Sequence, residues 1–363
     1  MFSSLHGDAS LFKAEEWLKA GDFACEMRFF PHAFQCYQRS NEAEKSEAAL
    51  RRINDTIDKI TNVLEDIPAK LSNLIEDIRL SNPLDPAKWL GIANILLKDF
   101  SDELSQNKLS VATKDAAKFA LAFAIYCAKR SGNAVTEMNT VLESLMQDEE
   151  QASDNEKKLD LTALAIKKNQ DPVKVICFGD NISLGLMPDW SIAFNETYHY
   201  LWSKETDRKI SLANNAVSGA GVLDLCLYTR RDIINYKPDL AIILIGNVDA
   251  WLTEDAVLAY QVLYSSMLKV IKDQGITPIV VSPIPQVIAN FPQSEMPTGL
   301  TKDDYKIELF VKAAKKAAIE NDVCFVDAYT NFPKEEKYFA NGYNQPNLEG
   351  QTLITKALLE KTI

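Results

Sequence analysis

The sequence predicts an α/β fold, a parallel five-stranded sheet flanked by helices, preceded by an all-helical domain. Three observations carry this. From Val173 onward, short apolar runs alternate with longer amphipathic stretches, the spacing of a parallel sheet covered on both faces. Before about residue 165, apolar residues recur at helical spacing and no strand pattern is present. Between the two regions, the polar run Gln147–Lys158 and the break Asn169-Gln170-Asp171-Pro172 separate one composition from the other. The expected organisation is a helical domain over 1–165, a linker over 166–172 and an α/β domain over 173–363.

In the first part, Phe12, Ala14, Trp17 and Leu18 form a helical stripe that Gly21 ends. Pro31 suits the first turn of a helix carrying Ala33, Phe34, Cys36 and Tyr37. The run from Phe29 to Ser40 resembles the second helix of a tetratricopeptide repeat, without a second copy at the expected spacing. Further stripes run through Ile53, Ile57, Ile60 and Val63, and through Ile67, Leu71, Leu74 and Ile78. After the break Ser81–Pro86, helices are predicted over Ala87–Phe100, Ala112–Arg130, Ala134–Met146 and Leu159–Lys168. In the second part, strands are predicted at Val173–Phe178, Lys209–Ala213, Leu240–Ile245, Thr277–Ser282 and Val323–Val326. The intervening helices fall at Met187–Trp202, Val222–Tyr236, Ala256–Gln274, Lys302–Glu320 and Leu348–Lys361.

A net charge of −12 with no strongly basic block argues against nucleic acid or an anionic membrane surface as a partner. No stretch reaches the roughly 20 apolar residues that span a bilayer. The opening Met1–Asp8 has neither the positive cluster nor the apolar run of a secretory signal. The cysteines at 25, 36, 127, 177, 226 and 324 form no C-x-x-C pair and read as small buried hydrophobes in a reducing compartment. The expectation is a cytoplasmic protein with no metal and no cofactor.

Chemistry concentrates at Val173–Gly185. Val173, Val175, Ile176, Cys177 and Phe178 make a buried strand, Gly179-Asp180 a turn, and Asn181–Gly185 the opening of a helix. Such a unit presents the residue after Asp180 at the mouth of a parallel sheet, where α/β proteins build their sites. That residue is Asn181, and an amide has no proton whose removal yields an attacking alkoxide.

Four blocks in order give the chain, over about half its length, a resemblance to the SGNH (GDSL) hydrolases. Gly179-Asp180-Asn181 corresponds to the family's G-D-S, with Asn181 in place of the nucleophilic serine. Asn215–Gly219 corresponds to the second block, and Gly219 keeps the glycine whose backbone N–H is an oxyanion donor. Gly246–Asp249 corresponds to the third, G-x-N-D. Val248 stands at the oxyanion-hole asparagine in one alignment, and Asn247 takes that place in an alignment shifted by one residue. The fourth, D-x-x-H-P-N-x-x-G, aligns on Pro346, Asn347 and Gly350, putting Gly342 at the acid and Gln345 at the base. The histidines are His6, His32 and His199, none of them after residue 199, where the family's base lies. The resemblance therefore implies the fold landmarks of a hydrolase without its catalytic residues, a pseudoenzyme.

Ser183, two residues beyond Asn181, is expected to serve backbone N–H groups at the helix start rather than to attack a substrate. His199, in an aromatic helix, and Trp251, beside a loop, read as packing. Asp180, Asp189, Asp249 and Glu254 are the carboxylates that a different hydrolysis would need. The favoured expectation is a binding or scaffold protein. Asp180, Asn181, Gly219, Asn247, Asp249 and Gln345 would contact a ligand, which the resemblance implies is a carbohydrate or an acyl group. The helical domain would bind a protein partner. The alternative is an active esterase or O-acyl transferase with a rebuilt site.

Overall fold

The computed structural model describes residues 111–130, 135–146, 172–185, 201–204, 209–297 and 299–362, with Tyr198 and isolated positions before residue 92. Most of the helices predicted before residue 111, the helix at Leu159–Lys168, His199 and most of Met187–Trp202 lie outside the described residues. The chain divides into two compact units, Met1–Leu84 and Asp85–Ile363. All elements described here belong to the second.

Those elements are α1 (Val111–Arg130), α2 (Thr136–Met146), β1 (Val173–Gly179), the single-turn α3 (Asn181–Leu184), β2 (Ile210–Asn214), α4 (Val222–Asp232), β3 (Leu240–Leu244), α5 (Val257–Asp273), β4 (Thr277–Val281), α6 (Ile307–Glu320), β5 (Cys324–Val326) and α7 (Leu348–Thr362). The strands form one sheet in the order β2-β1-β3-β4-β5, and each adjacent pair is parallel. β3 is buried at every position, as a central parallel strand requires. Alternate residues supply the two faces. Val175, Cys177, Ile242, Leu244 and Val281 pack with Trp202, Ile354 and Leu358 on one side. α4, α5 and α6 cover the other side.

Two expectations are corrected. The stretch Lys302–Glu320 is not one helix. Thr301 and Asp304 cap a short 3₁₀ turn, Tyr305 is extended, and the Lys306 N–H donates to Ala250 O before α6 begins. The predicted boundary at 166–172 is also displaced. α1 packs on α5 and on α2, so both helices belong to the compact unit that contains the sheet, not to a separate domain ending at 165. The physical reason lies in α1 itself. Residues 117–128 are buried all round, and a helix with no exposed face must have neighbours on every side.

Candidate functional site

The chain runs from β1 outward to β2 and then back across β1 to β3, so the sheet's switch point lies between the carboxyl ends of β1 and β3. In open α/β sheets that crevice is where ligands bind. Gly179 ends β1 there. A side chain on it would meet Leu244 O at 2.1 Å and Ser183 Oγ at 2.5 Å, so the backbone approach demands glycine.

Asp180 follows and caps α3, its Oδ1 accepting the Ile182 N–H at 3.0 Å. It is fully buried, and burial pushes its carboxyl up to about 7 against the pull of the Ile182 and Ser183 backbone N–H groups. Asn181 opens α3 and is half-buried. Gly185 closes it in the left-handed conformation, at φ 73°. Ser183 corrects its expectation. The helix start is capped by Asp180, while Ser183 is fully buried with Oγ 3.5 Å from Leu244 O. One further step round a single-turn helix turns that side chain toward the sheet.

After β2, Asn214 stitches the turn to α3. Its amide donates to Ser183 O at 3.0 Å and its Oδ1 accepts the Ala216 N–H at 3.1 Å. Asn215 is buried and donates to Asp232 O at 2.8 Å. Gly219 lies in an exposed turn at φ 72°. After β3, Asn247 is 3% exposed and spans to the next loop. It donates to Ile284 O at 2.7 Å and accepts the Ile284 N–H at 3.2 Å, with the Tyr305 hydroxyl beside it. Val248 is half-buried. Asp249 is fully buried, accepts the Val222 N–H at 2.9 Å, and is pushed up by burial to about 7.

Asp180, Asn247 and Asp249, expected to contact a ligand, are buried and hold backbone N–H groups, those of Ile182 and Val222 at helix starts and that of Ile284 in the loop after β4. Asn181 and Gln345 stay partly accessible and Gly219 is exposed. Trp251 is packing, as expected. It is 9% exposed, with ring centroids 5.0 Å from Phe291 and 4.8 Å from Tyr305. Glu254 is exposed, and Asp189 lies outside the described residues.

The segment after β5 reaches the same edge. Tyr343 packs edge-on to Phe291 at 5.0 Å, and its carbonyl accepts the Val287 N–H. Asn341 gathers the Tyr343, Asn344 and Gln345 N–H groups on one oxygen. Gly342 adopts φ 80° and Gln345 is half-buried. Gln351, in α7, donates to Ile182 O at 3.3 Å and joins this segment to α3. Sequence reasoning missed Asn214, Asn341 and Gln351. An asparagine beside a glycine, as Asn341 is, was the available turn signal.

A parallel sheet with four loops converging at its switch point defines an open α/β domain. Residues 177–353, just under half of the chain, match the GDSL-like Lipase/Acylhydrolase family. Among solved structures, it is similar to an acetylxylan esterase from Geobacillus stearothermophilus at 20% identity, over 53% of this chain and 94% of that one, with a TM-score of 0.43. A lipase/acylhydrolase from Enterococcus faecalis gives 19% identity over 52% and 94%, with a TM-score of 0.43. An α/β hydrolase from the metagenome of Lake Arreo, Spain, gives 18% identity over 53% and 95%, with a TM-score of 0.42. No curated protein matches the chain.

Proposed function

We propose that this is a GDSL-like domain without ester turnover, acting as a binding or scaffold protein, with a carbohydrate or acyl ligand at the carboxyl edge of the sheet. The observation that carries the reading is the pairing of Asn181, at the position of the family's serine, with a Ser183 hydroxyl that is fully buried. The matched segment holds one histidine, His199, which precedes β2, and the motif alignment read from the sequence sets Gln345 against the family's base. A triad stripped of nucleophile and base keeps at most the acceleration of its oxyanion and binding groups, about 10³- to 10⁴-fold over water. Asn181, Gly219 and Gln345 are the groups offered to a ligand. The helical residues at the start of the chain are the proposed partner surface. Among the described residues no helix is long and apolar enough to cross a membrane. Cys127, Cys177, Cys226 and Cys324 are buried thiols, which favours a reducing, cytoplasmic setting.

The second reading, an esterase or O-acyl transferase with a rebuilt site, draws on Asp180 and Asp249, two carboxyls carried to about 7. Their complete burial stands against it. The test is hydrolysis of p-nitrophenyl acetate by the purified chain and by Ser183→Ala. The expected rate equals buffer for both. A rate well above buffer that is lost in Asp180→Asn or Ser183→Ala would overturn the proposal. Binding is tested by a screen of xylo-oligosaccharides and short acyl amides, in which Asn181→Ala and Gln345→Ala each weaken any hit about tenfold.

A further inference from the structure

We infer that the helical hairpin α1–α2 positions the loops that carry Gly219 and Asn247, with Arg130 as the positioning residue. The inference rests on the reading of that edge as the binding site. It adds a control element from outside the family-matched segment, since the hairpin ends at residue 146 and the match begins at 177.

Two basic residues close α1, and each reaches a different loop. Arg130 grips Asp224 with a fork, at 3.1 Å (Nη1 to Oδ1) and 2.6 Å (Nη2 to Oδ2). The same Asp224 Oδ2 accepts the Gly221 N–H at 2.8 Å, so the guanidinium fixes the carboxylate that caps α4. Asp249 holds the next N–H, that of Val222, from the loop after β3. Gly221 is the meeting point. A side chain there would meet Asp249 Oδ1 at 2.7 Å, Tyr126 Oη at 3.0 Å and Arg130 Nη2 at 3.1 Å. Gly219 is two residues upstream of this clamp.

The second grip falls on the loop after β3. Lys129 pairs with Asp255 at 3.0 Å, and Asn139 of α2 donates to Asp255 O at 2.8 Å. Between Asp255 and the packed Trp251 lies Thr253, at φ 67° and ψ 178°, a region that side chains avoid. Such a conformation persists where the structure fixes both flanks. Trp251 is wedged between Phe291 and Tyr305 on one side, and the hairpin holds Asp255 on the other. Lifting the hairpin releases the α4 cap and lets Thr253 relax, and both changes move site-bearing backbone. A partner or modification acting on α1–α2 is thereby felt at the site.

Hydrogen exchange read by mass spectrometry on the full, unliganded chain tests this. Arg130→Ala and Asp224→Asn are each expected to speed exchange over 216–226 about fivefold, with the double variant no faster than either alone. Exchange in β4 stays unchanged. Arg130→Lys, which keeps the charge and loses the fork, recovers part of the protection. Unchanged exchange over 216–226, or a rise spread equally over β4, would overturn the inference. So would an Arg130→Lys profile identical to that of Arg130→Ala. If Arg130→Ala does not fold, Lys129→Ala with Asn139→Ala, the two partly exposed residues that hold Asp255, is read over 249–257 with the same outcomes. An ester-hydrolysis or ligand result bears on the site's function and leaves this exchange result untouched.

Discussion

At the scale of single residues, the two carboxylates near the switch point set a pH dependence. Asp180 and Asp249 are each fully buried, each has one oxygen on a backbone N–H, and each has an Oδ2 without a hydrogen-bond partner among the described residues. Desolvation outweighs those N–H groups and raises both from 3.8 to about 7 in the folded chain. Below pH about 4 the carboxyls are protonated in both folded and unfolded chains. As pH rises from there to about 7, the unfolded chain gives up these protons first, so it binds fewer protons and stability falls. Above the folded value the contribution levels off. This is the reverse of a salt-bridged aspartate. Urea midpoints of the wild type should therefore drop between pH 4.5 and 7.5, and Asp249→Asn should show a shallower drop. Equal slopes for the two proteins would show that Asp249 does not hold its proton in the folded state.

At the scale of elements, the sheet is stitched at its carboxyl edge by amides rather than by charges. Asn247 joins the end of β3 to the loop after β4 through both ends of its amide, at 2.7 and 3.2 Å. Asn247→Ala leaves the Ile284 N–H and C=O buried without those partners, a loss of about 2 to 3 kcal/mol. Chemical denaturation should read that loss as a lowered midpoint at unchanged slope. A midpoint within error of wild type would mean that backbone shifts or water replace the amide. The same residue shows where sequence reading stops. A run such as Leu240–Ile245 announces a buried strand by its apolar continuity, and the alternation of such runs with amphipathic stretches gave the parallel sheet. The motif blocks located the loops after β1, β2 and β3 and the segment before α7, but not the loop after β4 that carries Ile284. What residue type cannot disclose is direction. Asp180, Asn247 and Asp249 are the polar groups a ligand site needs, and they are also the groups that helix starts and loops beyond the strands need to satisfy their backbone. Here the backbone takes them. The break between Lys302–Asp304 and α6 was hidden for a related reason, because it depends on a bond from Lys306 to Ala250 across the fold.

At the scale of the molecule, the unit that folds is larger than the segment the family match covers. Ala259–Tyr264 in α5 are buried without interruption, more than a full turn, so this helix is covered on its outer side as well as against the sheet. α1 packs on it, joined by the ion pair from Lys269 to Asp115 at 2.7 Å, and Lys129 reaches Asp255 just before α5 at 3.0 Å. The sequence carried a sign of this. From Phe119 to Ala128, α1 reads Phe-Ala-Leu-Ala-Phe-Ala-Ile-Tyr-Cys-Ala, with no polar face to turn toward water. Periodicity identified the helix but not its neighbour, and the polar run Gln147–Lys158 imitated a domain boundary. A fragment of residues 173–363 keeps the whole matched segment and strips α1 from α5. Exposing two or more large apolar side chains, at about 1.5 to 3 kcal/mol each, should lower its stability by at least about 3 kcal/mol relative to a fragment of residues 85–363. The shorter fragment should also bind a hydrophobic dye that the longer one does not. Equal urea midpoints and no dye binding would show that the α/β domain is complete without α1, and that the helix is an accessory laid on a finished surface.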